Sequence, residues 1–267
     1  MILINNKKID LDKFGDGTLK CEVPQINSTP TITWAYDNDG ELFALACLTD
    51  ILKENFDKIA LVLPYVPNAR QDRRVSGRIF TLKTFCRLIN NMGFSSVDVL
   101  DPHSSVTMAL LDNVVDYYFK NDDQDDIDAI MFPDAGAAKK YTEQGLGKNY
   151  KNIIIGNKKR DDTGRIVEYE LVNFPEGVKT VKIKDDICSY GGTFVEAAKA
   201  LRSKGVEKII LEVSHCEDNI FKGSVFDYID EIFTTDSILD LDNFDHEGVT
   251  EEKLKKLKIA HLFRKEI

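Results

Sequence analysis

Residues Asp185-Asp186-Ile187-Cys188-Ser189-Tyr190-Gly191-Gly192-Thr193 join two adjacent acids, a paired-glycine turn and hydroxyl side chains in one short run. Glycine lets a backbone turn tightly and approach a ligand with no side chain in the way. A helix pattern follows from Phe194 to Lys204, and a helix start offers unpaired N–H groups and a positive dipole end, which together hold anions. Thr193 adds a hydroxyl, and Asp185 with Asp186 suit sugar hydroxyls or a hydrated magnesium ion. The run therefore suggests a bound phosphorylated sugar. Taken alone it also fits a plain strand-to-helix turn whose acids complement the helix dipole. No Gly-Lys-Ser/Thr follows the glycines and no Gly-x-Gly-x-x-Gly is present, so it is neither a P-loop nor a dinucleotide fingerprint.

A second cluster lies at Pro64-Tyr65-Val66-Pro67-Asn68-Ala69-Arg70-Gln71-Asp72-Arg73-Arg74. Arginine suits phosphate because its planar fork donates two parallel hydrogen bonds. A merely solvated charged loop is the alternative. His103 follows Asp101-Pro102, where an imidazole can meet a metal or a nucleotide phosphate. Lys158 and Arg160 sit in Lys-Lys-Arg-Asp-Asp-Thr-Gly-Arg between two strand-like segments, a pattern that reads as a mobile hairpin able to close over phosphates, or as an ordinary charged hairpin. His215 has the apolar context of a structural residue, and His246 and His261 carry no assigned role.

These groups need a scaffold. Lys58 to Leu63 is a compact apolar run ending at Pro64, a pattern that predicts a central parallel strand. Val97 to Leu100, Ala129 to Phe132, Asn152 to Ile155, Thr180 to Ile183 and Lys208 to Val213 repeat it. Helical spacing marks Phe80 to Met92, stopped by Gly93, and Gly136 to Gln144. Alternating strands and helices predict α/β architecture, with parallel sheets flanked by helices. In such sheets ligands bind beyond the carboxyl ends of the strands, where Pro64–Arg74, Asp101–Ser105, Pro133–Ala137, Gly156–Arg160 and Asp185–Thr193 all fall. The acidic run from Lys120 to Asp126 divides the chain into expected domains of residues 1–120 and 121–267.

With 267 residues, 43% hydrophobic and 30% charged, the composition is that of a soluble globular protein. A net charge of −10 argues against sequence-independent binding to nucleic acid. No apolar run approaches a membrane span, and the start lacks the apolar core of a signal peptide. Five cysteines form no CxxC pair, which speaks against structural zinc and a disulfide framework and for a reducing cytoplasmic setting. Cys188 reads as a small filler beside the turn.

The wording of these motifs resembles that of the ribose-phosphate pyrophosphokinases (PRPP synthetases). Pro-Tyr followed by Ala-Arg-Gln-Asp-Arg is similar to the family's ATP-binding segment. Phe14-Gly15-Asp16-Gly17-Thr18 is similar to its Phe-x-Asp-Gly-Glu loop, Asp101-Pro102-His103-Ser104 to its Asp-Leu-His-Ala segment, and Pro133-Asp134-Ala135-Gly136 to its Pro-Asp-x-Gly loop. Asn157-Lys158-Lys159-Arg160 resembles its Asp-Lys-Arg-Arg, and Asp185 to Thr193 its ribose 5-phosphate loop. The motifs keep the family's order, and weaker similarity extends to Thr235-Asp236-Ser237.

The resemblance implies two type I phosphoribosyltransferase-like domains, ATP-binding then ribose 5-phosphate-binding, with the active site between them. It implies transfer of the β,γ-diphosphoryl group of ATP to the C1 hydroxyl of ribose 5-phosphate, giving PRPP and AMP for nucleotide biosynthesis. Lys158 and Arg160 would be catalytic. Asp16, Gly17, Thr18, Arg70, Gln71, Asp72 and His103 would serve ATP, and His103 and Asp134 would hold Mg2+. Asp185, Asp186, Ser189, Tyr190, Gly191, Gly192 and Thr193 would bind ribose 5-phosphate. A homo-oligomer, dimer or hexamer, is expected, with no nucleic-acid or membrane partner.

Three departures stand out. Ser189 replaces the third acid of the sugar loop and is followed by Tyr190. Thr18 replaces an acid. The chain is short and begins close to its Asp16 loop, so the family's N-terminal strand and helix are expected to be missing. Two rival readings follow: a phosphoribosyltransferase that consumes PRPP, which leaves Arg70-Gln71-Asp72 and His103 unexplained, and a non-catalytic regulatory homologue, which the loss of an acid at Ser189 favours.

Overall fold

A computed structural model describes residues 1–75, 77–121, 127–160, 166–241 and 247–263, the last acids of the Lys120–Asp126 run and the tip of the Lys158 hairpin lying outside them. The chain forms two compact units, Met1–Tyr118 together with Phe263, and Phe119–Leu262.

The first unit opens with β1 (Ile2–Ile4), β2 (Lys7–Ile9), β3 (Leu11–Lys13), β4 (Leu19–Cys21) and β5 (Thr31–Trp34). Then come α1 (Glu41–Lys53), β6 (Ala60–Leu63), α2 (Thr81–Asn91), β7 (Ser96–Leu100), α3 (Ser105–Leu110) and β8 (Val114–Tyr117). Its main sheet, among the described residues, has the order β2-β1-β5-β6-β7-β8, with β5 to β8 parallel and β1 antiparallel to both of its neighbours. The chain has a strand at its start: Ile2 and Ile4 are fully buried, and β1 is an inner strand. Strands β3 and β4 form a separate hairpin around the Asp16 turn.

The second unit contains β9 (Ala129–Phe132), α4 (Ala135–Glu143), β10 (Ile153–Arg160), β11 (Ile166–Val172), β12 (Thr180–Cys188) and α5 (Gly192–Ser203). It ends with β13 (Lys208–Cys216), α6 (Val225–Tyr228), β14 (Glu231–Thr235), α7 (Glu251–Lys256) and β15 (Leu257–Ala260). Its sheet runs β11-β10-β9-β12-β13-β14-β15, and every pair is parallel except β10–β11. Both sheets are thus mixed rather than purely parallel, each carrying antiparallel strands at one edge.

Two strands that carry site residues outrun their sequence patterns. β10 continues through Lys158 to Arg160 and β12 through both acids to Cys188, so these groups lie on extended backbone rather than in turns. Long-range pairing explains this: β12 stays in register with β13 as far as Cys188 and Cys216, and β10 gains β11 as partner once it leaves β9. One face of β12 packs Val181 and Ile183 into the apolar core. Its other face buries Lys182 and Lys184, which close on the equally buried Glu212 of β13 at 3.0 and 3.4 Å. Burying charge is costly unless it is paired and hydrogen-bonded. Here the remaining donors and acceptors are met by chain 119–121: Lys184 donates to the Phe119 carbonyl, Lys182 to the Asn121 carbonyl, and the Asn121 amide to Glu212.

Candidate active site

In the second unit the Asp134 loop, the Lys158 strand and the sugar loop meet at the carboxyl end of the sheet. Asp134 caps α4, its Oδ1 accepting from the Ala137 amide at 3.0 Å. Its Oδ2 takes the Lys158 ammonium at 2.6 Å. Burial acts to raise the Asp134 carboxyl, but the Lys158 bond and the helix amides outweigh it and hold the group below the usual carboxylate range. Asp185 behaves oppositely. Burial first, then repulsion from Asp186 and from Asp134, pushes its carboxyl well above that range. Asp185 thus feels two further carboxylates, Asp186 and Asp134, the latter paired with Lys158.

Beyond them β12 runs into Ser189 and Tyr190, and Gly191 turns the chain with a φ of +80° into α5. A side chain at Gly191 would stand 2.7 Å from the Val225 Cβ, and one at Gly223 would overlap the Tyr190 carbonyl. The loop is therefore packed from behind by residues 223–225, while Gly192 has nothing over it. Cys188 and Cys216, both free thiols, lie side by side at the ends of β12 and β13, and the hydrogen bond between them, followed by burial, pushes Cys188 up. An unreactive filler is the role this environment gives it.

In the first unit the Asp16 turn is self-contained: Thr18 donates through both amide and hydroxyl to Asp16 Oδ1, at 3.0 and 2.7 Å, and holds that carboxyl down. The loop after β6 turns at Asn68, in the left-handed region at φ +66°. Gln71 accepts from the Thr81 hydroxyl at 3.1 Å, while Arg70 is exposed. Asp72 accepts from Arg73 Nε at 3.0 Å. Burial would raise its carboxyl, but Arg73, Ser104 and the charge of His103 hold it down, so Asp72 and His103 share one locale. Just before His103, the buried Asp101 has a φ of +41°, a strained setting that is common at functional sites. Arg160 is placed by its strand alone, opposite Ile166. His215 is buried against the Ser237 hydroxyl at 2.8 Å, as its apolar context suggested.

Two residues of this locale went unread in the sequence. Tyr169, on β11, stands directly opposite Lys158 and donates to the Pro133 carbonyl at 3.0 Å. Gly156 is the gap that admits it, because a Cβ there would meet the Tyr169 ring at 2.7 Å. Both emerge only from the hairpin register and from the gap at Gly156, which no local sequence pattern carries.

No protein-family model matches the chain. It is 32% identical over 253 residues to the ribose-phosphate pyrophosphokinase of Sulfurisphaera tokodaii, covering 86% of this chain and 84% of that one. The chain belongs to the ribose-phosphate pyrophosphokinase family. The family member of Cereibacter sphaeroides is 30% identical over 200 residues, and there the match spans 58% of the relative's length. A crystal structure of phosphoribosylpyrophosphate synthetase from Mycobacterium smegmatis superposes with a TM-score of 0.70 at 18% identity, over 95% of this chain and 86% of that one. That likeness bears on the fold, which is the α/β fold of this family.

Magnesium, which the family resemblance implies, needs oxygen ligands, and it is commonly held by one or two carboxylates with substrate phosphates and waters completing the shell. Among the described residues no group of three or more His, Cys, Asp or Glu forms a protein-only cage. Asp134, a carboxylate held ionised at the start of α4, suits the looser arrangement. Among the described residues no helix is long and apolar enough to cross a membrane.

Proposed function

We propose that the protein transfers the diphosphoryl group of ATP to the C1 hydroxyl of ribose 5-phosphate, forming PRPP and releasing AMP, with Mg2+ bound at substrate phosphates and Asp134. The observation that carries this is the Lys158–Asp134 pair, 2.6 Å long and within electrostatic reach of Asp185, on the strand that leads into the Gly191–Gly192 turn. Transfer of this kind needs positioning and charge neutralisation more than covalent help. The ammonium of Lys158 is the positive charge available to the transferring group once Asp134 releases it, and Arg160 adds a second. Asp185 and Asp186 orient the ribose hydroxyls, and the amides from Gly191 to Thr193 with the Ser189 hydroxyl receive the 5-phosphate. When bound, magnesium supplies charge neutralisation along the polyphosphate. In the first unit Arg70, Gln71 and His103 serve ATP, and the Asp16–Thr18 turn contributes to nucleotide binding. Self-association as a dimer or hexamer belongs to the same reading, and sedimentation velocity decides it.

The test is to incubate the protein with ATP, ribose 5-phosphate and magnesium and to separate the products by chromatography. AMP and PRPP should appear in equal amounts and only with ribose 5-phosphate present, and Lys158→Ala should lower turnover by about two to three orders of magnitude. Release of pyrophosphate from PRPP in the presence of a base, without AMP formation, would move the protein to the phosphoribosyltransferases. Binding of ATP without any product would make it a regulatory homologue.

A further inference from the structure

The parallel ladder between β9 and β10 ends at Phe132 and Ile155, because Pro133 has no amide proton and the chain then turns into α4. This leaves the Pro133 carbonyl beside Gly156 without the next rung. Tyr169 supplies it. Opposed residues of an antiparallel pair project to the same face, as do residues two apart on one strand. Tyr169 and Lys158 are opposed, and Gly156 is two residues before Lys158, so all three share one face. From there the tyrosine reaches across Gly156 to Pro133 while Lys158 reaches Asp134, so adjacent side chains of the hairpin grip consecutive residues of the same loop. A Cβ on Gly156 would stand 2.7 Å from both the Pro133 oxygen and the Tyr169 ring. The three positions form one fitted unit.

We infer that Tyr169 is a positioning residue for diphosphoryl transfer: its hydroxyl fixes the Pro133–Asp134 loop against the Lys158 strand, so that Lys158 stays in place when it exchanges Asp134 for the substrate. This rests on the function proposed above. Tyr169 touches no reacting atom. The tie to Pro133 remains when the Lys158–Asp134 bond opens, and this distinguishes it from that ion pair.

Tyr169→Phe deletes the hydroxyl and keeps the ring. In the whole 267-residue chain it should lower kcat about ten-fold, leave KM for ATP within about two-fold and shift Tm by no more than about 4 °C, the scale on which one net hydrogen bond acts. Gly156→Ala, which displaces the ring from Pro133, should lower kcat at least as far. Amide hydrogen exchange supplies a readout independent of turnover: the amides of Gly136 to Ala138 should exchange faster in Tyr169→Phe than in the parent. An unchanged kcat with a lowered Tm would overturn the inference by making the tyrosine purely structural. Unchanged exchange would overturn it even in a protein that forms no PRPP. Absence of product from the parent protein counts against the proposed function, whereas the exchange comparison still decides the role of Tyr169.

Discussion

Replacing Glu212 with alanine should unfold the second unit far more readily than its single position suggests. The side chain is 1% exposed, and Lys182 and Lys184 are 2% and 0% exposed. Its loss leaves two ammonium groups facing neutral partners: the carbonyls of Phe119 and Asn121, the Ser214 hydroxyl and, for Lys184, the rings of Phe119 and Tyr141. Breaking a buried pair from one side costs about 3–5 kcal/mol. The Asn121 amide also loses its acceptor, for about 1 kcal/mol more. A total near 5 kcal/mol is a large share of the roughly 5–15 kcal/mol that holds a domain together. Urea titration can read the two units separately. Trp34, the single tryptophan, belongs to the first unit, and alkylation of the buried Cys188 and Cys216 reports the second. The cysteines should become reactive at much lower urea in Glu212→Ala, with the Trp34 transition little changed. A loss under about 1 kcal/mol would refute the reasoning, since a buried charge network cannot lose the anion that both lysines contact so cheaply. Replacing all three residues by methionine should restore most of the stability, because apolar packing removes the need for pairing.

Two further outcomes are expected. Because the Asp185 carboxyl sits well above its ordinary value of 3.8, folding takes up a proton, and its contribution to stability falls as pH rises from that value through the raised one. Asp185→Asn should therefore flatten that part of the Tm–pH curve and raise Tm at neutral pH while impairing use of ribose 5-phosphate; a curve with its slope intact would show that another group titrates. Gly223→Ala, whose methyl would collide with the Tyr190 carbonyl, should raise KM for ribose 5-phosphate about ten-fold or more and alter KM for ATP little, as steady-state kinetics in each substrate will reveal.

The strands that carry the sites were legible where short apolar runs end in turn residues: Ala129–Phe132 begins and ends where its pattern does. Glycine and proline marked the loops, and the paired glycines of the sugar loop do start a helix. The pattern Val181-Lys182-Ile183-Lys184 does not by itself reveal where its two lysines lie. Both are buried, and the reason is Glu212, some thirty residues away on the neighbouring strand. Tyr169 stayed hidden for a similar cause. Its meaning comes from hairpin register and from the empty side of Gly156, neither of which composition or local spacing encodes. Positions whose role depends on what lies across a sheet emerge only when the sheet is assembled.

If the Asp185–Thr193 loop receives the ligand as proposed, the packing behind it bears on how quickly that ligand is captured. Gly191 rests on Val225 and the Tyr190 carbonyl on Gly223, so the turn is already shaped before any anion arrives. Little chain entropy remains to be lost on binding, and arrival need not wait for a rearrangement of this turn. On the proposed reading, affinity for the sugar phosphate is set by how long it dwells on the amides at the start of α5, and substitutions in residues 223–225 should alter residence time through the packing of the turn.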